Sequence, residues 1–248
     1  MRMLEAILVV VNALAREFAN VSVIFERPVQ VRTMITRRAR MVGPRAVLGQ
    51  ILFLLLVVPI LRHRSAKRVI EICRVKLLDT GAIVVPIKRV RSANDLAVAR
   101  ILRATQPAVL VVNGTRILTR DTLRSVRRPI LNLHMGITPM YRGAHGGYWA
   151  LVDRRPDLVG TTIHLVDEGI DTGAIIEQVR FTVEEADSFA TYPYLHLAAG
   201  IPALIRAVRA GLAGDLQPMR TLPVVTSKLR THPTLGGYLA ARLARGIR

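Results

Sequence analysis

Short apolar segments alternate with helical patterns from Ser92 onwards, and this alternation restricts the folds open to the chain. The run Ala108 to Val112 is continuously apolar, which is typical of a strand buried on both faces. Ile130 to Asn132 predicts the next strand, and later strands are predicted at 161–166 and 174–179. Because strands and helices alternate, we predict an α/β fold with a mainly parallel sheet.

The N-terminal part of the chain contains an amphipathic helix and a more ambiguous apolar segment. Met1 to Phe18 has apolar residues at helical spacing, and Val21 to Phe25 predicts a strand. Ile51 to Leu61 is apolar, with basic residues on both sides, but it is shorter than the roughly 20 residues of a membrane-spanning helix. A buried core helix is the first interpretation. The alternative is a peripheral membrane contact through residues 47–68, with basic side chains on lipid phosphates.

The net charge of +19 is concentrated towards the two ends of the chain. Residues 92–190 contain equal numbers of basic and acidic side chains, whereas the residues on either side are strongly basic. A basic surface attracts anionic partners such as phosphates, nucleic acid or an acidic membrane. A solvated basic face with no partner explains the same charge. Composition alone therefore does not identify a ligand.

The numbers and spacing of cysteine and histidine residues indicate the cellular compartment and whether a metal site is present. Cys73 is the only cysteine, which excludes a disulfide framework within one chain and a cysteine-based metal site. The six histidines do not fall at zinc-ligand spacing with acidic partners, so we expect no bound metal. We therefore expect a cytoplasmic protein, with peripheral attachment to the inner face of the membrane as the alternative.

Three polar residues form a candidate site for acyl transfer. Asn132 and His134 stand two apart at a strand end, so both side chains leave the same face. Asp171 follows another predicted strand and can return to the same crevice. An asparagine N–H can hold a developing oxyanion, a histidine beside a carboxylate can be charged or relay a proton, and the aspartate can orient that imidazole. Taken singly, the asparagine is also a turn former and the histidine a core residue, so the interpretation depends on the whole set.

The longer motif around these residues resembles the folate-dependent formyltransferase family. It reads Asn-x-His-x4-Pro-x-Tyr-Arg-Gly from Asn132, and Gly-Thr-x-x-His-x6-Asp-x-Gly from Gly160. That family includes the phosphoribosylglycinamide, methionyl-tRNA and sugar-amine formyltransferases, and the similarity is densest at residues 108–178. It implies a Rossmann-like fold and transfer of a formyl group from the cosubstrate 10-formyltetrahydrofolate to a primary amine. Asn132, His134 and Asp171 match its catalytic residues.

The resemblance also implies the walls of a folate pocket and an acceptor side. One wall resembles the family's pterin-binding turn, and the other a loop that follows a strand. The residues expected to bind the folate are Gly114, Arg116, Ile117, Leu118, Val166, Asp167, Glu168, Gly169 and Ile170. On the acceptor side we expect Tyr141, Arg142 and His145 to bind substrate, although Tyr-Arg-Gly could also simply shape the loop.

The chain departs from the family pattern in three places. It begins inside the family's first helix, so the usual first strand and its glycine-bearing turn are expected to be missing. Residues 135–138 replace a Pro-Ser-Leu-Leu type of segment, which alters the amine side of the pocket. We divide the chain into a catalytic domain, 1–214, and a basic, loop-rich tail, 215–248, which is short for the second domain of the methionyl-tRNA enzymes.

These features favour a small anionic amine as the acceptor, such as an amino sugar, rather than nucleic acid. Two alternatives remain open. A hydrolase could use the same three residues with water as the acceptor and release formate from the folate. A degenerate folate-binding protein would bind the cosubstrate without turnover.

Overall fold

Ten α-helices and six β-strands make up the part of the chain that the computed structural model describes, residues 3–219 and 227–247. The first helices are α1 (Met3–Glu17), α2 (Val31–Val42), α3 (Pro44–Leu52), α4 (Val58–Arg64) and α5 (Ala66–Val75), with a π-helical turn at Phe53–Val57 between α3 and α4. The later helices are α6 (Leu96–Thr105), α7 (Arg120–Arg124), α8 (Gly146–Val152), α9 (Tyr192–Ala213) and α10 (Leu235–Arg245), with a 3-10 turn at Pro156–Leu158. The strands are β1 (Val23–Glu26), β2 (Ile87–Val90), β3 (Leu110–Val112), β4 (Ile130–His134), β5 (Gly160–Leu165) and β6 (Ile175–Arg180).

The strands form two sheets that confirm the predicted α/β class. β1 and β2 pair in parallel, and the other four strands form a sheet in the order β3-β4-β5-β6. Within that sheet β3 and β4 are parallel, whereas β4–β5 and β5–β6 are antiparallel. The sheet is thus more mixed than its sequence pattern indicates. The loop between β5 and β6 is too short for the crossover that a parallel connection needs.

Most predicted elements are present, with shifts at their ends. α1 and β1 confirm the N-terminal helix and strand, although Met1 lies outside the described residues. The helical pattern that follows Ser92 becomes α6, which begins at Leu96 after its N-cap residue, Asp95. The prediction of a loop-rich tail was wrong in part, because Leu235–Arg245 is helical. Thr234 is the N-cap of this helix, and its Oγ1 accepts a hydrogen bond from Gly237 N.

The main core lies between the four-stranded sheet and helices α1 and α9. Leu131 on β4 and Ile163 on β5 are fully buried in one cluster with Leu197 of α9. At Gly200 the helix lies so close to the sheet that a Cβ atom there would be 2.6 Å from the Thr161 methyl carbon. This packing holds β4 and β5 rigidly, and these two strands carry most of the candidate site.

Residues 44–64 form one nearly continuous helix with two different faces. Phe53, Val58 and Leu61 are buried in a second core cluster, whereas Leu55 and Ile60 are exposed. The predicted core helix is therefore buried along one stripe only. By length and composition, Pro44–Arg64 and Tyr192–Ala213 are both able to cross a membrane, and 28% and 50% of their apolar windows are buried. Core helices of soluble proteins can have the same length and composition, so these two properties do not show whether either helix lies in a membrane.

The C-terminal part packs onto the catalytic region. Residues 227–232 lie along the loop between β4 and α8, where Arg230 forms a parallel bridge with Gly143. Tyr238 of α10 packs against Phe53, with ring centroids 5.1 Å apart. The proposed division at residue 214 stays a prediction, but residues 227–247 share a core with residues before it.

Candidate active site

Asn132, His134 and Asp171 meet at one end of β4. Asp171 lies in the loop after β5, with a left-handed φ of +52°, and its Oδ1 is 3.4 Å from His134 Nδ1. Its Oδ2 accepts a hydrogen bond of 2.9 Å from the backbone N–H of Gly143. All three predicted catalytic residues line a single cavity of about 660 Å³.

His164 on β5 completes this cluster and was not among the residues singled out from the sequence. It is the register partner of Asn132 across the β4–β5 pair. Its Nδ1–H donates to the carbonyl oxygen of Leu165 at 2.7 Å, and its Nε2 faces Asn132. Asn132 Nδ2 donates to that Nε2 at 3.0 Å. Because an amide carries two N–H groups, one remains to bind a carbonyl oxygen in the cavity.

His134 is held between two oxygen atoms in a buried position. Its Nε2 lies 2.7 Å from the carbonyl oxygen of Tyr141, so Nε2–H donates to that carbonyl and Nδ1 faces Asp171. Burial lowers the pKa of His134, and the opposing attraction of Asp171 does not overcome it. Of the two roles that the sequence left open for His134, charged group or proton relay, its burial favours the relay, because desolvation outweighs the attraction of the carboxylate.

Asp171 itself is ionised at neutral pH. Burial raises the pKa of this carboxyl, but the nearby imidazoles of His164 and His134 and the N–H of Gly143 favour the carboxylate and together bring the pKa below its ordinary value. A carboxylate bound in this way is fixed in position and negatively charged. It can stabilise a proton that arrives on either neighbouring imidazole.

The two expected folate walls line the same cavity. Every residue singled out for folate lines it except Glu168, which is exposed and forms an ion pair with Arg120. Gly114 turns the chain with a φ of +64°, which suits glycine. Glu26 at the end of β1 then fixes the turn, because its carboxylate accepts from both the backbone N and Nε of Arg116, at 2.8 and 2.5 Å.

The three residues expected on the acceptor side separate into two groups. His145 lines the cavity. Tyr141 is buried and orients His134 through its carbonyl group, and Arg142 Nε donates to the carbonyl oxygen of Ile170 at 2.8 Å. Tyr141 and Arg142 thus contact the loops that hold the catalytic residues and do not line the cavity.

A second histidine pair lies at the His145 end of the cavity. His145 Nε2 and His232 Nδ1 are 2.7 Å apart, and the His145 ring also packs on Phe189 at 4.6 Å. Burial lowers the pKa of His232 to about 4 and that of His145 well below its ordinary value, so both rings are neutral at pH 7. No sequence pattern indicated His232.

Backbone contacts hold His232 in place. Ala144 N donates to the carbonyl oxygen of Arg230, and Arg230 N donates to that of Arg142, both at 2.9 Å. The buried Gln50 of α3 donates to the carbonyl oxygen of His232 at 3.0 Å. The C-terminal segment is therefore part of the cavity wall. In residues 3–219 and 227–247, no group of three or more His, Cys, Asp or Glu side chains is arranged to hold a metal ion.

Comparison with known proteins identifies the family. The formyl transferase family model matches residues 60–208. A methionyl-tRNA formyltransferase of Anaeromyxobacter dehalogenans is 36% identical over 137 residues, which cover 55% of this chain and 44% of that protein. One of Sorangium cellulosum is 33% identical over 146 residues, covering 58% of this chain and 46% of that protein. This chain thus spans about half the length of these relatives.

The fold agrees with this assignment. Glycinamide ribonucleotide transformylase 1 of Symbiobacterium toebii has a similar structure, with a TM-score of 0.54 and 19% identity over 90% of this chain and 87% of that one. At this identity the similarity concerns the fold alone. Because the family model covers more than half of the sequence, including the whole catalytic cluster, this chain belongs to the formyl transferase family.

Proposed function

We propose that the protein transfers a formyl group from 10-formyltetrahydrofolate to a primary amine. The observation that carries this proposal is the single carboxylate of Asp171 facing both His134 and His164, next to Asn132, in a cavity lined by the Gly114–Leu118 turn. Family membership supports the reaction class. A cytoplasmic location fits a cosubstrate of this kind.

The cosubstrate supplies an electrophilic formyl carbon, and the side chains supply position and charge. The free N–H of Asn132 donates to the formyl oxygen as the amine nitrogen forms its bond to the formyl carbon. The carboxylate of Asp171 accepts the proton that the amine nitrogen loses and shares it with Nδ1 of His134, which lies 3.4 Å away. This pair then returns the proton to the folate nitrogen as the bond between that nitrogen and the formyl carbon breaks.

The acceptor in this proposal is a small anionic amine of the amino-sugar class. Its nitrogen approaches from the end of the cavity at His145 and His232. Burial and, after it, the positive charge of Arg38 on α2 lower the pKa of His232, so the field of that charge reaches this end of the cavity. A phosphate or carboxylate on the acceptor matches that field. Nucleic acid is the less favoured partner. We also propose a peripheral contact of residues 47–68 with the inner face of a membrane, supported by their exposed apolar residues.

The first experiment incubates the purified protein with 10-formyltetrahydrofolate and a panel of amino sugars and amino-nucleotides. We expect tetrahydrofolate release that requires an amine and is lost in His134→Ala. His63→Ala, at an exposed histidine, is the matched control and should retain full activity. Release without any amine would replace the proposal by a folate hydrolase. No release from a folded protein that binds the folate would indicate a binding protein.

A second prediction concerns the folate turn. Glu26→Gln should raise the Kd for tetrahydrofolate by about tenfold, because a charge-assisted hydrogen bond contributes about 1.5–3 kcal/mol, partly lost here. Calorimetric titration measures this change. Glu168→Gln removes an exposed ion pair on the opposite wall and should change the Kd by less than about twofold. Equal effects of the two substitutions would contradict a specific role for Glu26.

A further inference from the structure

The helix at residues 44–64 exposes a continuous apolar stripe. The stripe, here called the leucine face, consists of Leu48, Leu52, Leu55, Leu56 and Ile60. Leu48, Leu52, Leu56 and Ile60 follow one another at intervals of four residues and Leu55 stands next to Leu56, so all five lie along one side of the helix. Leu48, Leu55 and Ile60 are 59%, 66% and 53% exposed. An exposed apolar patch of this kind on a folded protein marks a surface that binds a partner or a membrane.

The charge around the leucine face identifies the partner. The sequence contains no aspartate or glutamate between Glu26 and Glu71, and the basic residues of this stretch cluster in α2 and at both ends of the 44–64 helix. Arg45 precedes the face, whereas Arg64 and Lys67 follow it, and all three are exposed. An apolar stripe with a basic border complements a bilayer that contains anionic lipids, because leucines enter the acyl region and basic groups contact phosphates.

The opposite side of the same helix supports the acceptor end of the cavity. Gln50 holds the carbonyl of His232, and Phe53 packs edge-on against Phe189 at 5.0 Å. Both His232 and Phe189 line the cavity. Only the 44–64 helix therefore separates a surface that covers the leucine face from the end of the cavity where the acceptor amine binds.

We infer that the leucine face docks on an anionic lipid bilayer and that the acceptor amine is carried on a lipid of that bilayer. This inference rests on the proposed function and adds the class of acceptor, an amine next to a phosphate with a hydrocarbon chain. The helix lies flat in the interface, since its inner side is occupied by core residues such as Phe53 and Leu61. The formyl transfer itself is unchanged, because the hydrocarbon chain stays in the bilayer.

Flotation with vesicles tests the docking. Wild-type protein should float with vesicles of phosphatidylcholine mixed with phosphatidylglycerol and stay behind with phosphatidylcholine alone. The double variant Leu55→Gln/Leu56→Gln should lose at least tenfold in partitioning, whereas Leu96→Gln, at a leucine of α6 that is 76% exposed, should bind like wild type. Circular dichroism and the Tm establish that the variants are folded. Docking would be overturned if the wild-type protein floated with neither vesicle type. It would also be overturned if the wild-type protein were a dimer in solution and the double variant a monomer.

Matched acceptors test the lipid-borne class. An amino-sugar phosphate is supplied either free or esterified to a polyisoprenyl chain in anionic vesicles. We expect kcat/KM to be at least tenfold higher for the vesicle-bound amine with wild type, and this advantage to disappear in the Leu55→Gln/Leu56→Gln variant while turnover of the free amine remains. Equal kcat/KM values for the two acceptors would overturn the lipid-borne class. Absence of transfer to either acceptor, with flotation intact, would instead count against the proposed formyl transfer.

Discussion

Asp171→Asn should lower kcat for formyl transfer by about a thousandfold, within the range for loss of an acid–base partner. The amide keeps the size of the carboxylate but removes the charge that faces His134 and His164. The neutral amide does not accept the proton of the attacking amine, and an imidazolium on His134 is no longer stabilised. The hydrogen bond from Gly143 N can still be accepted by the amide oxygen, so we expect the loop to keep its position.

Steady-state tetrahydrofolate release measures this effect, and folate affinity is determined in parallel. The KM for 10-formyltetrahydrofolate should change by less than about threefold, because the substitution affects a charge that is needed mainly in the transition state. Asp157→Asn, at an exposed aspartate that pairs with Arg155, serves as the control and should behave like wild type. A kcat for Asp171→Asn close to that of wild type would remove Asp171 from the mechanism.

Arg68→Met should cause the largest loss of stability, about 3–5 kcal/mol in the free energy of unfolding. Arg68 on α5 pairs with Asp187 at 3.0 Å and with Glu184 at 2.8 Å. The Asp187 side chain is fully buried in the turn before α9, and it also accepts hydrogen bonds from Glu184 N and from Thr191 Oγ1. Removing the guanidinium leaves a buried carboxylate without its counter-charge.

Urea unfolding at neutral pH gives the free energy directly. Arg206→Met removes a different pair, between Arg206 and Glu177, whose arginine is exposed, and should cost about 0–1 kcal/mol. The contrast isolates burial as the cause, since both variants replace the same residue type. Unfolding midpoints that fall equally for the two variants would show that the buried pair contributes no more than an exposed one.

The sequence predicts those parts of the site that depend on periodicity within one element. Asn132 and His134 lie on one strand two positions apart, so their common face follows from the geometry of any strand. His164 belongs to the same motif, yet its role depends on pairing opposite Asn132 in an antiparallel register that local sequence does not determine. The charge of His134 could not be decided from the sequence for a related reason, because its burial is a property of the folded protein.

Contacts between distant parts of the chain could not be predicted from local sequence patterns. His232 reaches His145 only because residues 227–232 hydrogen-bond to the catalytic loop. Similarly, the local geometry at Pro59, within the apolar run at 51–61, does not follow from the sequence pattern. The helix continues because the proline stands in the first turn of α4, directly after a π-helical turn that ends at Val57. The extra residue of this turn brings Val58, five positions after Phe53, to the buried side, which a regular helical period does not predict.

The position of His232 has a consequence for biosynthesis. The cavity wall uses Ala6 and Ile7 from α1 as well as His232, so its lining spans nearly the whole described sequence. A nascent chain needs α9 as well as the strands before the sheet that carries Asn132, His134 and His164 has its core. The opposite end of its pocket is completed only when residues 230–232 leave the ribosome and pair with the loop at 142–144. The protein therefore acquires its complete acceptor site only late in its translation.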